Sequence, residues 1–576
     1  VLGSQALSTD TRGARNTAIG RAALFSQNFT TATDSYNTAV GYGAGSAVTT
    51  GQQNTLIGGE AGDAFTDADF NVGLGYRALS TDTKGSKSVA VGNGALFAQN
   101  FTTATDAHNT AVGFEAGVSV TTGTINTLIG AECGDALTSG NSNTAVGFKA
   151  LSADTQGDRN VAIGAGALQV QNFTTSTDAY NVAVGYDAGN DITTAQYNTL
   201  IGALAGDAFT TGERNVALGY FALGDDTLGS RSVAVGFAAL ENQNFTTANN
   251  NYNIGVGYNA GASNTTGVNN TLIGGLAGDA MTDADDNVAV GTQALSTNIL
   301  GSSSTAIGKD ALLDQNPATA TNMYNTAVGH HAGRLITTGT NNTFVGGLTG
   351  DSTDDGVGNT CVGKSAGSAN LGNNNTLIGL ETGLLTTGDD NTAMGRSAAI
   401  NLTSGDNNLF LGHDAGRTGS PGGNQTTGSN QIGFGDENIT SAHIQVAIQV
   451  ASDARDKTDF SDLDLGLDFV KALEPVTYYW DKRSKYGDKY ADDYDLNAQT
   501  PDGTHKEDWM DVGFKAQSVQ ALEEAAGYKI ADKKNLTVSL SEDGKQYGLK
   551  YDRFVPILVK AIQELSAEVE KLKSGG

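Results

Sequence analysis

One five-residue phrase recurs along this chain and constrains its fold more than any other feature. It runs Asn, small or β-branched, apolar, apolar, Gly. It reads NTAIG at Asn16, NTAVG at Asn37, NTLIG at Asn54 and NVGLG at Asn71, then SVAVG at Ser88, and it continues to NLFLG at Asn408. A degenerate copy, NQIGFG, begins at Asn430. There are 24 copies, mostly 17 residues apart, with a 21-residue step at regular intervals. The longer steps set a higher period: Asn16, Ser88, Asn160, Ser232 and Ser304 lie 72 residues apart. The extra residues follow one phrase each time, Gln27-Asn28-Phe29, Gln99-Asn100-Phe101, Gln171-Asn172-Phe173 and Gln243-Asn244-Phe245, with a drifted copy at Gln315-Asn316-Pro317. After Asn359 the spacing shortens to 16 and the higher period fades.

A period near 17 is too short for a two-helix repeat, which needs roughly 30 residues or more. It suits one turn of a β-solenoid. Within Thr38-Ala39-Val40 apolar and small side chains alternate, so one set faces a narrow interior and the other faces solvent or a neighbouring subunit. The closing glycine lets the backbone turn at low steric cost. The opening Asn either stacks into an amide ladder or serves as a plain turn residue. At roughly 4.8 Å per coil, the stack makes a rod on the order of 110 Å. A single coil buries too little to fold alone, so stability is shared along the stack. The interior is thin, and three chains sharing apolar faces would relieve that.

Composition narrows the class. The 77 glycines follow no collagen period and only five prolines accompany them. A net charge of −29 favours solubility and disfavours nucleic acid or anionic membranes as partners. Cys133 and Cys361 share no metal-ligand spacing and read as small buried apolar side chains. No run of 18 apolar residues exists, so no helical membrane span is expected. The chain opens at Val1 without an initiator Met and reads as a segment of a longer protein, with no visible signal peptide.

The phrase NTAVGYGAG and its relatives resemble the head repeats of trimeric autotransporter adhesins. That resemblance covers roughly residues 10 to 435 and implies a left-handed parallel β-roll in a trimer. The coils here are longer than is common in that family.

Near residue 450 the composition changes. The last 126 residues hold 18 Lys and Arg and 25 Asp and Glu, and both tryptophans, Trp480 and Trp509. We expect an all-β solenoid over 1–440, then a small α+β domain over 441–576. Its end reads as a helix, 553–573, with apolar residues at Val555, Leu558, Ile562, Leu565, Val569 and Leu572. Steps of three and four make a heptad seam. It is too short to hold an isolated chain but sufficient in a trimer already assembled; packing on its own domain is the alternative.

Three blocks in this region resemble the intramolecular chaperone domain of phage tailspikes and fibres, the self-releasing module of endosialidase-type trimers. They are Ser452-Asp453-Ala454-Arg455-Asp456-Lys457, Val512-Gly513-Phe514-Lys515-Ala516-Gln517-Ser518-Val519-Gln520, and Tyr551-Asp552-Arg553-Phe554-Val555-Pro556-Ile557-Leu558. LEPVTYYW from Leu473 also fits. The resemblance implies self-cleavage at the first block, with Ser452 as nucleophile and Lys457 as general base, between Ala451 and Ser452. A serine needs a base, and a lysine serves only when burial makes it neutral. Trimer assembly would supply that burial. Asp456 beside the lysine opposes it, and Asp453 and Arg455 either orient the loop or form a surface ion pair.

The repeats show no catalytic constellation, and no cofactor or metal is expected. His330-His331 reads as two surface histidines on opposite strand faces. Thr66-Asp67-Ala68-Asp69 and Thr282-Asp283-Ala284-Asp285-Asp286 offer carboxylates that suit calcium but lack the rest of a calcium loop, so they read as solvated turns. Phe29, Phe101, Phe173 and Phe245 either stack on sugar rings or plug gaps between subunits. The function expected is a homotrimeric phage tail fibre or tailspike of the virion tail, made in the host cytoplasm. Its partners would be a host cell-surface glycan or protein receptor and other virion tail proteins. A polysaccharide-degrading tailspike and a bacterial trimeric surface adhesin are the alternatives. The enzyme activity expected is limited to a single-turnover serine autoprotease.

Overall fold

The computed structural model describes residues 1–491 and 493–575. The chain divides into two compact units, Val1–Asn325 and Thr326–Gly576. That division falls inside the repeat phrase that opens at Asn325, and not at the composition change.

In the first unit the phrases form 17 three-residue strands, from Thr17–Ile19 to Thr305–Ile307. Each pairs in parallel with the strand one coil away and in exact residue-for-residue register, as in Thr110↔Thr127, Ala111↔Leu128 and Val112↔Ile129. Seven more rungs, Thr326–Val328 to Ile432–Phe434, do the same in the second unit. This is a parallel β-solenoid, as the repeat period requires.

The strand pattern places the middle residue inside and its two neighbours outside. Ala39, Ala90, Ala111 and Ala145 are fully buried, and Leu56, Leu128, Leu200 and Leu272 take their place every fourth rung. Each such leucine contributes about 1.5–3 kcal/mol. The small side of the alternation is therefore mostly the interior one, because the backbone turns back too tightly to admit more. Cys133 and Cys361 are free and buried, and burial pushes the Cys133 thiol up to about 12.

The opening Asn forms a ladder. Asn198 Oδ1 accepts from the Asn215 backbone N–H at 2.9 Å, while its Nδ2 donates to Gly212 O at 2.9 Å. Its own N–H donates to Asn181 Oδ1 at 3.0 Å. Each rung thus satisfies buried donors of the next, and an orphaned buried group would cost about 1–3 kcal/mol. Where the phrase opens with Ser, the longer coil repairs the gap. Gln99 donates to Ser88 Oγ at 3.2 Å and to Asp82 Oδ2 at 2.6 Å, and accepts from Asn109 Nδ2 at 2.9 Å. Gln27 and Gln171, whose phrases open with Asn, keep the bonds to an Asp one coil back and to the next Asn, so the recurring Gln belongs to the longer coil itself. The Phe beside it also turns inward: Phe29, Phe101, Phe173 and Phe245 are 5–6% exposed within their own chain. They are packing side chains of the longer coil, not protruding ones, which corrects the expectation of sugar stacking or intersubunit plugs.

The closing glycine does more than turn. At Gly130, φ is +143° and a Cβ would lie 2.2 Å from Gly147 O in the next coil. Only a residue without a side chain permits coils this close.

Beyond the last rung, residues 438–462 carry no strand and are exposed almost throughout. The folded C-terminal part follows. It has helices α1 (Leu467–Ala472), α2 (Ala516–Ala525) and α3 (Phe554–Ser574), and antiparallel pairs β1 (Val476–Tyr479) with β2 (Met510–Gly513) and β3 (Val538–Leu540) with β4 (Tyr547–Leu549). Leu465, Phe469, Val519, Val538, Phe554 and Ile557 make its core. Glu564 of α3 accepts the Leu467 N–H at 2.7 Å, capping α1, whose Gly466 has no capping side chain.

Candidate self-cleavage site and assembly surfaces

The first block, from Ser452 to Lys457, is shaped by its own local chemistry. Asp453 accepts from the Arg455 N–H at 2.9 Å and opens a short 3₁₀ turn, Ala454–Asp456. Lys457 closes the turn, its N–H bonded to Ala454 O at 3.3 Å. The turn folds Lys457 back on Ser452, with Nζ 2.5 Å from Oγ and 3.5 Å from the Ser452 carbonyl. The two residues singled out from the sequence are thus brought together. Arg455 pairs with Asp453 at 2.6 Å, with the guanidinium largely exposed, so this pair holds the turn and contributes little to stability. Its arginine holds the Asp453 carboxyl below its usual range. Ala451, Ser452, Asp456 and Lys457 are all exposed in the single chain. Here the lysine donates to the serine. A base must instead accept its proton, which requires a drier setting.

The other two blocks meet each other. Phe514, just after β2, stacks on Phe554 and Tyr551 at 5.4 and 6.3 Å, and its N–H donates to Tyr551 Oη at 3.3 Å. Buried Glu523 of α2 accepts from Thr537 N–H and Oγ1, tying α2 to β3. These blocks build the domain core, whereas the first block stands in the exposed segment.

The domain also grips the end of the solenoid. Glu542, in the turn between β3 and β4, accepts from the backbone N–H groups of Thr426, Thr427 and Gly428 at 3.3, 2.7 and 3.1 Å. Both threonine hydroxyls add bonds at 2.9 and 2.7 Å. Burial would raise its pKa, but the hydrogen bonds from Thr427 and Thr426 win and hold it at about 2. Nearby, Lys489 lies 2.9 Å from Asp414, 2.8 Å from Glu437 and 4.0 Å from Asp436. Burial opposes its charge, but these carboxylates outweigh burial and raise its pKa. His413, Asp414 and Asp436 have metal-ligand spacing, and the Lys489 ammonium already supplies their cation. Sequence reading missed both contacts, since no local motif links residues more than 50 positions apart.

Three apolar surfaces stand exposed among the described residues. On the rungs, outward residues such as Ile57, Leu74, Ile129 and Leu218 are 37–42% exposed. Aromatics past the closing glycine extend this face, with Tyr220, Phe237 and Tyr258 stacked at 5.3 and 5.6 Å. Before Ser452, the alternating Ile444, Val446, Ile448 and Val450 are 59–76% exposed. On α3, Phe554, Ile557 and Ala561 face the core, while the seam residues Val555, Leu558, Ile562, Leu565, Val569 and Leu572 are 39–78% exposed. Extended apolar exposure of this kind marks interaction surfaces.

Other candidates have structural roles. Asp69 and Asp285 accept the N–H groups of Gln52 and Val268, one coil back, at 2.7 and 2.8 Å. Asp283 accepts from Thr266 Oγ1 at 2.7 Å, and Asp286 from Asn269 Nδ2 at 3.0 Å. The acidic turns therefore staple coils together. His330 and His331 stack at 3.8 Å, not on opposite faces, because they lie in the turn after a strand.

No helix among the described residues is long and apolar enough to cross a membrane. No curated protein and no solved structure matches the chain. Residues 452–528, beginning at the serine of the turn and ending just past α2, match the peptidase S74 family, the chaperone of endosialidase, so a β-solenoid is followed here by a segment of that chaperone type.

Proposed function

We propose that this chain is the distal part of a homotrimeric phage tail fibre or tailspike that attaches the virion to a host surface. Its C-terminal domain assists trimer assembly and is then released by one self-cleavage. The observation that carries this reading is the Lys457–Ser452 contact of 2.5 Å, placed where the chaperone-of-endosialidase match begins.

Assembly of three chains covers the alternating Ile444–Val450 segment and dries the adjoining turn. Desolvation there drives Lys457 to its neutral form. Neutral Lys457 takes the Ser452 hydroxyl proton as Oγ attacks the Ala451 carbonyl carbon. The C–O bond forms and the C–N bond breaks, and the proton passes to the Ser452 nitrogen. Water then hydrolyses the ester, leaving an Ala451 carboxylate, a free Ser452 hydroxyl and a free amine. Cleavage therefore waits for assembly. The α3 seam supports the trimer until release, and the outward rung face supports it afterwards.

The test is expression of wild type beside Ser452→Ala and Lys457→Gln. Wild type is expected to release residues 452–576, and both variants are expected to remain whole as trimers. A folded wild-type trimer that stays intact, or a Ser452→Ala chain that still cleaves, overturns the proposal.

A further inference from the structure

Many coils carry a corner at which several backbone N–H groups converge on the coil that follows. Thr49, Thr50 and Gly51 donate to one oxygen, Thr66 O, at 2.8, 3.1 and 3.2 Å, and the Thr49 hydroxyl adds a bond at 3.0 Å. Thr265, Thr266 and Gly267 do the same to Thr282 O at 2.9, 3.1 and 3.2 Å. Two residues before each trio, the Ala47 and Ser263 N–H groups donate to Asp63 O and Asp279 O, both at 3.0 Å. Near the end of the stack Thr387 and Gly388 donate to Thr403 O, and Thr403 donates to Thr426 O. At this corner each of these coils depends on an acceptor offered by the coil after it.

The strand Ile432–Phe434 is the last rung, and beyond it two side chains take the place of a further coil. The last corner, Gln425-Thr426-Thr427-Gly428, aligns with Val48-Thr49-Thr50-Gly51. Its three N–H groups and both threonine hydroxyls end on the Glu542 carboxylate, as the equivalent N–H groups of other coils end on a threonine carbonyl. Asn424, the equivalent of Ala47, donates its N–H to Asp543 Oδ2 at 3.2 Å. Two adjacent carboxylates thus stand in for two carbonyls of a next coil. The turn that bears them is shaped by its own hairpin. Ser541 N–H donates to Gln546 O at 2.8 Å, and Asp543 accepts from Ser541 Oγ and the Lys545 N–H. Among the described residues, the hydrogen bonds of Glu542 all go to the coil.

We propose that the Ser541–Lys545 turn impersonates a further coil and is the template on which the last coil closes and from which the stack builds towards the N-terminus. Loop entropy sets this order. The hairpin turn joins residues 5 apart, whereas the last rung joins Asn408 to Gln431, 23 residues apart. Short loops close first, and an isolated coil cannot hold itself. A coil that closes against ready-made carboxylates meets the acceptors of a neighbour at once. It then offers Thr426 O to Thr403, and the next coil offers Thr403 O to Thr387. This deepens the chaperone role proposed above, rests on it, and names the surface the domain recognises: the donor corner of a coil.

The experiment is refolding of the full chain carrying Ser452→Ala, which keeps the domain attached, read by pulse-labelled amide exchange and peptide mass. Variants add Glu542→Ala, or Asp508→Ala as an exposed carboxylate of the same domain. Peptides over 403–428 are expected to gain protection before those over 17–57. Glu542→Ala is expected to slow both at least tenfold, or to block both, while α2 gains protection at the unaltered rate and Asp508→Ala changes nothing. Protection of 17–57 first or at the same time, an unchanged rate in Glu542→Ala, or equal slowing by Asp508→Ala overturns the proposal. So does a Glu542→Ala chain in which α2 also loses protection, since the turn then serves only its own domain. The two readings fail separately. Folding from the other end with normal fragment release by wild type sinks only the template, and the expected order with a wild-type trimer that stays whole sinks only the release.

Discussion

The repeats and the C-terminal domain solve the problem of stability in opposite ways. In the repeats most coils make the same contacts with the next: strand to strand, Asn to backbone, glycine against carbonyl. Few side chains are large, and the close approach of backbone to backbone does the work of a core. The C-terminal domain has no such translation. It depends on single contacts made once, such as Phe514 on Phe554 and Glu523 on Thr537. The lesson is that one region is limited by backbone spacing and the other by side-chain packing.

That contrast is broken most severely at Gly130. Gly130→Ala puts a Cβ 2.2 Å from Gly147 O at φ +143°, and both strain and clash oppose it. We expect a loss of about 4 kcal/mol or more. Coils contact only their neighbours, so limited proteolysis should cut near residue 130 while the C-terminal domain stays protected. Uniform loss of both regions would show that the contrast is false.

Phe554→Ala should do the reverse at slightly smaller cost. Phe554 is 5% exposed in the domain core, and its truncation is expected to cost about 3–5 kcal/mol. The C-terminal domain should melt early in calorimetry while the solenoid transition stays in place.

The smallest expected effect sharpens the boundary between the two. Glu542 is held at about 2 against an ordinary 4.5, so its folded-state pKa is depressed. Its contribution is full above 4.5 and is lost as pH falls from there towards 2. The grip on Thr426, Thr427 and Gly428 should loosen over that window, read as faster amide exchange at those three groups. Glu542→Gln should show the faster exchange already at pH 7 and flatten the acid-dependent part.

The rungs were legible because each phrase combines period-two alternation with a closing glycine, and 24 repetitions averaged out local noise. The end helix was also legible, expected over 553–573 and found as Phe554–Ser574. Ser452 and Lys457 were named through the resemblance that the three ordered blocks carry, and not from their spacing. The buried side of the alternation was harder, since both sets are apolar or small. The direction of Phe29 and its equivalents was misread because a loop aromatic carries no sign of where it points.

The sequence by itself determined the solenoid, because identical short-range rules repeated at one spacing favour a single kind of stacking. Tertiary structure alone decided the inward turn of the longer coils, the Glu542 cap and the Lys489 cluster. Those contacts join residues that are distant in the chain or one coil apart, and no local propensity encodes which distant groups meet.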